Sequence, residues 1–178
     1  RRPRAAGQGA GGARQAEVTP HHLALTHEAV MAAAVESPGG LAYDTNAKVN
    51  PPLRTPADAE SCLAGLLDGT IDAIATDHAP HAIEDKLCEF DHAAFGISGL
   101  ETALGLCLTL AGGVGAHGHA PLPLPVLIER LTAGPVRAFG LERILPGLGS
   151  LTVGAPGDVV VFDPQAEWTV EPERFASK

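Results

Sequence analysis

Clustered positive charge is what this chain most conspicuously lacks: 12 lysines and arginines stand against 21 aspartates and glutamates, a net charge of −9. Its basic cluster, Arg1, Arg2 and Arg4, sits at the first residues, so no lysine and arginine face can track a phosphate backbone, and a nucleic-acid role is excluded. No apolar run approaches the roughly 20 residues of a membrane-spanning helix, and no charged-then-apolar secretory pattern opens the sequence. Cysteine is sparse. Cys62, Cys88 and Cys107 are an odd set without C-x-x-C spacing, which argues against a disulfide framework. Cys62 and Cys107 fall within apolar helical patterns and read as buried free thiols of a reducing cytoplasm, whereas Cys88 lies in a loop with no neighbour to make it a nucleophile or ligand. A dinucleotide fingerprint, a phosphate-binding loop, a G-x-S-x-G elbow and a fixed-period repeat are all missing.

What is present fits a globular chain of many short elements. At 178 residues, 45% of them hydrophobic, there is material for one sizeable core, and 21 glycines with 15 prolines supply many loops. Residues 1–16 carry almost no bulky apolar side chains and are expected to be a flexible or truncated start. A strand end is expected before Pro20, then a loop bearing His21 and His22; adjacent residues point different ways on any regular element, so at most one of the two can face a common site. A helix is expected from Thr26 to about Glu36, with Thr26 as its cap. Lys48-Val-Asn-Pro-Pro-Leu-Arg54 must be extended, holding the Asn50 amide on a stiff backbone that suits either a substrate imide or the start of a turn. Thr55-Pro-Ala-Asp58 is a capping box opening a helix whose apolar face is Ala59, Cys62, Leu63, Leu66 and Leu67, with Gly69 ending it.

The next stretch, Ile71-Asp-Ala-Ile-Ala-Thr-Asp-His-Ala-Pro-His81, reads as a short buried strand ending at Asp77 and a tight turn enforced by Pro80. A carboxylate there can ligate a divalent metal, act as a general base, or simply cap a turn; His81 can bind substrate, complete a ligand set, or lie hydrogen-bonded at the surface. Helix, turn, buried strand and polar turn together make one unit of an α/β parallel sheet. Ala82–Ala94 is a charged loop or lid, and Leu100–Leu110 a helix with Leu100, Ala103, Leu104, Cys107 and Leu108 on one face. His117 and His119 are read as exposed loop residues rather than a metal pair. Two proline-opened helices follow at Pro125–Leu131 and Pro135–Phe139, and Asp158-Val-Val-Val-Phe-Asp163 is expected to be a strand. A composition shift near residue 146 divides 17–146 from 147–178.

Val18-Thr-Pro-His-His-Leu23, Lys48-Val-Asn-Pro-Pro-Leu-Arg54, Asp68–His81 and Phe95-Gly-Ile-Ser-Gly-Leu-Glu-Thr-Ala103, in this order, resemble the carboxyl-terminal half of bacterial dihydroorotases of the amidohydrolase superfamily. Gly149–Asp163 is similar to the strand that returns to the small β-sandwich of that family. The resemblance implies the carboxyl-terminal part of a TIM (β/α)8 barrel at 17–146 and a β-sandwich segment at 147–178. It implies interconversion of dihydroorotate and carbamoyl-aspartate in pyrimidine biosynthesis, with one or two zinc ions, in the cytoplasm. By the same resemblance Asp77 would be both metal ligand and proton shuttle, and Asn50, His81, Phe95 and Gly96 would hold the substrate. His21 and His22 are not assigned as ligands, because the family's fixed metal histidines precede this stretch.

A complete barrel needs roughly 250 residues, so the expectation is a fragment that binds zinc weakly and turns nothing over alone. Two alternatives remain. One is a dihydropyrimidinase, hydantoinase or allantoinase with the same barrel. The other is a non-catalytic scaffold of aspartate transcarbamoylase, a possible partner beside a homo-oligomer.

Overall fold

A two-stranded parallel sheet sets the frame. The computed structural model describes residues 14–32, 43–112 and 121–177. Strand β1 (Glu17–Val18) lies beside β2 (Ala73–Ile74), with Val18 opposite Ile74. The ladder continues beyond both ends: Asp72 N–H donates to Ala16 O at 2.8 Å and Ala75 N–H to Val18 O at 3.0 Å. Ala16 is therefore already paired, so the expected flexible start is shorter than residues 1–16, and residues 1–13 lie outside the description. Parallel strands cannot be joined by a tight hairpin, and the described part of the connection here is largely helical, as suits a crossover.

Helix α1 (Pro20–Ala24) replaces the loop expected around the paired histidines. Thr19 is the reason. Its side chain accepts the His22 N–H, and Pro20 at the first turn is pre-set for helix and has no donor to lose. Helix α2 (Glu28–Ala32) begins two residues after Thr26, whose hydroxyl accepts the Glu28 N–H at 3.4 Å; the remainder of that expected helix falls outside the described residues. Helix α3 (Pro56–Asp68) follows its sequence signals closely. Thr55 and Asp58 close a full capping box, and Gly69 takes φ +80 at the end, where only glycine avoids a steric penalty. The Arg130 guanidinium then covers the open Leu66 carbonyl of the last turn through Nε at 3.1 Å and Nη2 at 3.0 Å.

Helices α4 (Ile83–Lys86), α5 (Ala103–Ala111), α6 (Leu124–Leu131) and α7 (Ala133–Phe139) complete the helical set. Helix α5 starts three residues later than expected, leaving Leu100 exposed in the preceding turn while Ala103, Cys107 and Leu110 are buried. Within α3, Ala59, Leu63 and Leu66 are buried but Leu67 is exposed, which narrows the apolar face expected there. The core gathers Val18, Leu23, Leu63, Leu66, Ile74, Cys107, Leu110, Leu122 and Leu127, so both strands are packed by side chains from α1, α3, α5 and α6. Gly134 of α7 permits close approach to the sheet: a Cβ there would lie 2.5 Å from Asp72 O.

The strand expected at Asp158–Asp163 does not form among the described residues, and Val159, Val160 and Val161 are exposed. Valine-rich sequence favours extended backbone, but a strand exists only when a neighbouring edge takes its N–H and C=O groups, and none is paired with it here. Trp168 instead rests against α5 at Gly105. Among the described residues no helix is long and apolar enough to cross a membrane.

Candidate active site

Several candidate groups gather just past the carboxyl end of β2. Asp77, three residues after Ile74, has φ +48 and is the one non-glycine residue with positive φ among the described residues. Aspartate visits that left-handed region at a cost of roughly 1–2 kcal/mol, and such departures concentrate at working sites. The turn is fixed from both sides. His78 bridges to Ile97 in parallel fashion, Ala79 N–H donates to Ile97 O at 3.0 Å, and His78 Nδ1 accepts the N–H groups of Gly99 and Leu100 at 3.2 and 3.1 Å. Nδ1 of His78 is therefore unprotonated. His81 is in the opposite arrangement at its own contact: its Nε2 lies 2.8 Å from Phe95 O, and since a carbonyl only accepts, Nε2 carries the proton.

The extended stretch through Asn50 reaches the same place. Lys48 O accepts the Gly96 N–H at 2.9 Å, tying this segment to the Phe95–Gly96 turn, and Val49, Ala47 and Leu53 form a small apolar cluster behind it. Asn50 itself is exposed and precedes a cis Pro51, whose carbonyl accepts from His22 Nε2 at 2.8 Å. Gly96 has φ +145 and sits so close to Ala79 that a Cβ would be 2.6 Å from Ala79 Cβ, so the two turns interlock. A cleft of about 490 Å³ opens between them, lined by His81, Lys86, Gly96, Asn46, Asp44 and Ser98 among others.

Of the residues picked out in the sequence, His81, Phe95 and Gly96 are thus brought together, with Asn50 two residues from the Lys48 carbonyl that holds Gly96. Asp77 is on the same edge but is not part of the cleft lining. His117 and His119 lie outside the described residues.

The segment 82–94 is not an open loop, and two lysines the sequence did not single out explain the site's shape. Lys48 Nζ donates to the carbonyls of Phe90, Asp91 and Ala93 at 2.6, 3.1 and 2.7 Å, and lies over the Phe95 ring at 4.4 Å. Lys86 Nζ donates to Thr45 O, Ala94 O and Gly96 O at 3.1, 2.8 and 2.7 Å. Both lysines are buried, and burial pulls the Lys86 ammonium below the usual lysine range, with the Asp44 carboxylate pulling the other way.

His21 is 4% exposed, its Nε2 has no hydrogen-bond partner among the described residues, and its ring lies 4.7 Å from that of His22. Burial, and then the neighbouring His22, lower its pKa to about 4, against a smaller opposing pull from Asp77. The two histidines do face different ways, since His22 spends both ring nitrogens on Thr19 and Pro51. Cys107 is also a quiet group, its thiol pushed up to about 11 by burial.

The described residues do not by themselves make a metal centre, because no group of three or more His, Cys, Asp or Glu side chains converges among them. A divalent ion takes three or four protein donors, so Asp77 could be one donor of such a site and no more.

No family model matches the chain. Its sequence is 51% identical over 162 residues to the dihydroorotase of Anaeromyxobacter sp. strain K, a stretch covering 91% of this chain and 33% of that protein. It is 45% identical to the dihydroorotase of Geotalea daltonii with the same coverage. The chain therefore spans about a third of the length of the curated relatives it matches. In three dimensions it is similar to the D-hydantoinase (dihydropyrimidinase) of Thermus sp., with a TM-score of 0.71 and 25% identity over 90% of this chain and 32% of that one. The L-hydantoinase (dihydropyrimidinase) of Arthrobacter aurescens gives 0.62 and 30% identity over 81% of this chain and 29% of the other.

Proposed function

We propose, from its similarity to bacterial dihydroorotases, about a third of whose length it spans, that the chain is part of a cyclic-amide hydrolase interconverting dihydroorotate and N-carbamoyl-aspartate. Residues 17–146 would form the carboxyl-terminal part of a (β/α)8 barrel, a fold whose chemistry gathers at the carboxyl ends of its strands, and 147–178 would belong to a small second domain. The observation that carries the reading is the strained turn at Asp77, a carboxylate held at φ +48 immediately beyond a buried parallel strand.

Asp77 would take the proton of the attacking water and return it to the ring nitrogen as the amide bond breaks, one group serving as base and then acid. It would also be one ligand of a zinc site that needs donors beyond the described residues to be complete. His81, with its Nε2 proton committed to Phe95 O, has Nδ1 left to accept a hydrogen bond from a substrate N–H. Asn50 would hydrogen-bond the ring imide, and the Phe95–Gly96 turn would shape the wall around the ring. The carbonyls of both these residues and the Gly96 N–H are already taken by His81, Lys86 and Lys48, so their contribution would be shape more than free donors. We place the protein in the cytoplasm, as a homo-oligomer or beside aspartate transcarbamoylase.

A hydantoinase-type substrate is the second reading, favoured by the solved structures that this chain resembles. The two separate on a carboxylate, which dihydroorotate has and dihydrouracil lacks. Steady-state kinetics of the intact, zinc-loaded protein on both compounds decides: preference for dihydroorotate supports the proposal, and equal or better turnover of dihydrouracil overturns it.

A further inference from the structure

Resting on the substrate-binding role given above to His81, we infer that Lys86 is a positioning residue for His81, acting through the peptide carbonyls on either side of Phe95. An ammonium has three N–H donors, and Lys86 places all three on backbone carbonyls, of which Ala94 and Gly96 bracket Phe95. The carbonyl between them, that of Phe95, then points at His81 Nε2. Two further bonds lock the frame. Thr45 returns its hydroxyl to Lys86 O at 2.5 Å while its own carbonyl accepts from Lys86, and Gly96 N–H is held by Lys48 O.

The result is a fixed acceptor that selects one tautomer of His81 and one orientation of its ring, in a cleft that His81, Lys86 and Gly96 line together. Lys48 adds a second three-carbonyl grip on 90–93, so that 82–96 is a preformed wall rather than a lid. Removing the Lys86 ammonium leaves the Thr45, Ala94 and Gly96 carbonyls without that donor, and the Phe95–Gly96 peptide is then held on one side only, by the Gly96 N–H to Lys48 O bond. A lysine elsewhere in the core would stabilise the fold and leave the imidazole indifferent. Here the same three bonds set which His81 nitrogen faces the cleft.

The test is a double-mutant cycle of Lys86→Met and His81→Ala in the intact protein, with imidazole nitrogen NMR as an independent readout. Each single variant is expected to raise KM for dihydroorotate about 10- to 100-fold with kcat little changed, and the double variant to be no worse than His81→Ala. Multiplying effects, or an unchanged KM in a folded Lys86→Met protein, overturn the inference. The unsubstituted protein should show His81 as the Nε2-protonated tautomer, and Lys86→Met should show a mixture. Should that variant not fold, the unsubstituted spectrum decides, an Nδ1-protonated His81 refuting the inference. Absence of dihydroorotate turnover would overturn the proposed function instead, since the tautomer is read without substrate.

Discussion

Acid should destabilise this protein through one imidazole. His21 is buried with its Nε2 unpaired, and its pKa falls from 6.5 to about 4 in the folded chain. Between those values the unfolded chain binds a proton that the folded one refuses, so stability is complete above pH 6.5 and is lost as pH falls toward 4. Each tenfold weakening of proton affinity is worth about 1.4 kcal/mol, which sets the loss at no more than about 3 kcal/mol once residual solvent contact is allowed for. Asp58 and Glu101 are also held below their usual ranges, by hydrogen bonds from Thr55 and from Ser177 respectively, but their losses come at lower pH, below 3.8 and 4.5. Urea unfolding followed by circular dichroism at closely spaced values from pH 8 to 4, in metal-free buffer, measures the effect. His21→Phe keeps an aromatic ring and removes the titration, and should abolish the slope between pH 6.5 and 4.5. An identical slope in that variant, or a His21 Hε1 resonance titrating near 6.5, would refute the reasoning.

Two further substitutions probe the frame around the site. Gly96→Ala combines φ +145 with a Cβ 2.6 Å from Ala79 Cβ and 2.9 Å from His81 Nε2, so it should cost about 1–3 kcal/mol in urea unfolding and raise KM as well; stability matching the parent would mean that the two turns do not interlock. Thr55→Ala removes the capping box at the start of α3, outside the cleft lining, and should lower stability by about 1 kcal/mol while KM stays at the parent value; a change in KM would contradict the separation of cap and site.

How far the sequence could be read depended on whether the signal was local. Thr55, Asp58 and Gly69 fix the two ends of α3 through contacts with their near neighbours in the chain, and the helix appears as expected. Asp77 was legible for the same reason, since an apolar run broken by Pro80 can only end in a turn, although its left-handed backbone was not foreseeable from that pattern. Asp158–Asp163 misled, because valine preference is local while a strand needs a partner edge that no pattern within the segment reveals. Pro20 hid α1 by looking like a strand stop, when with Thr19 before it the same proline opens a helix. Lys48 and Lys86 left no trace at all. Their ligands are backbone carbonyls, which every residue carries, so only the folded path of 82–96 could disclose them.

Turnover of dihydroorotate by the intact, zinc-loaded protein carrying Asp77→Asn tests the role of Asp77 most directly. The amide keeps the size of the side chain, and asparagine accepts the same left-handed backbone, so circular dichroism should be unchanged while kcat falls about 10²- to 10⁴-fold, the usual weight of a positioned acid and base. A folded variant that opens the ring at the parent rate would remove Asp77 from the chemistry and the proposal with it.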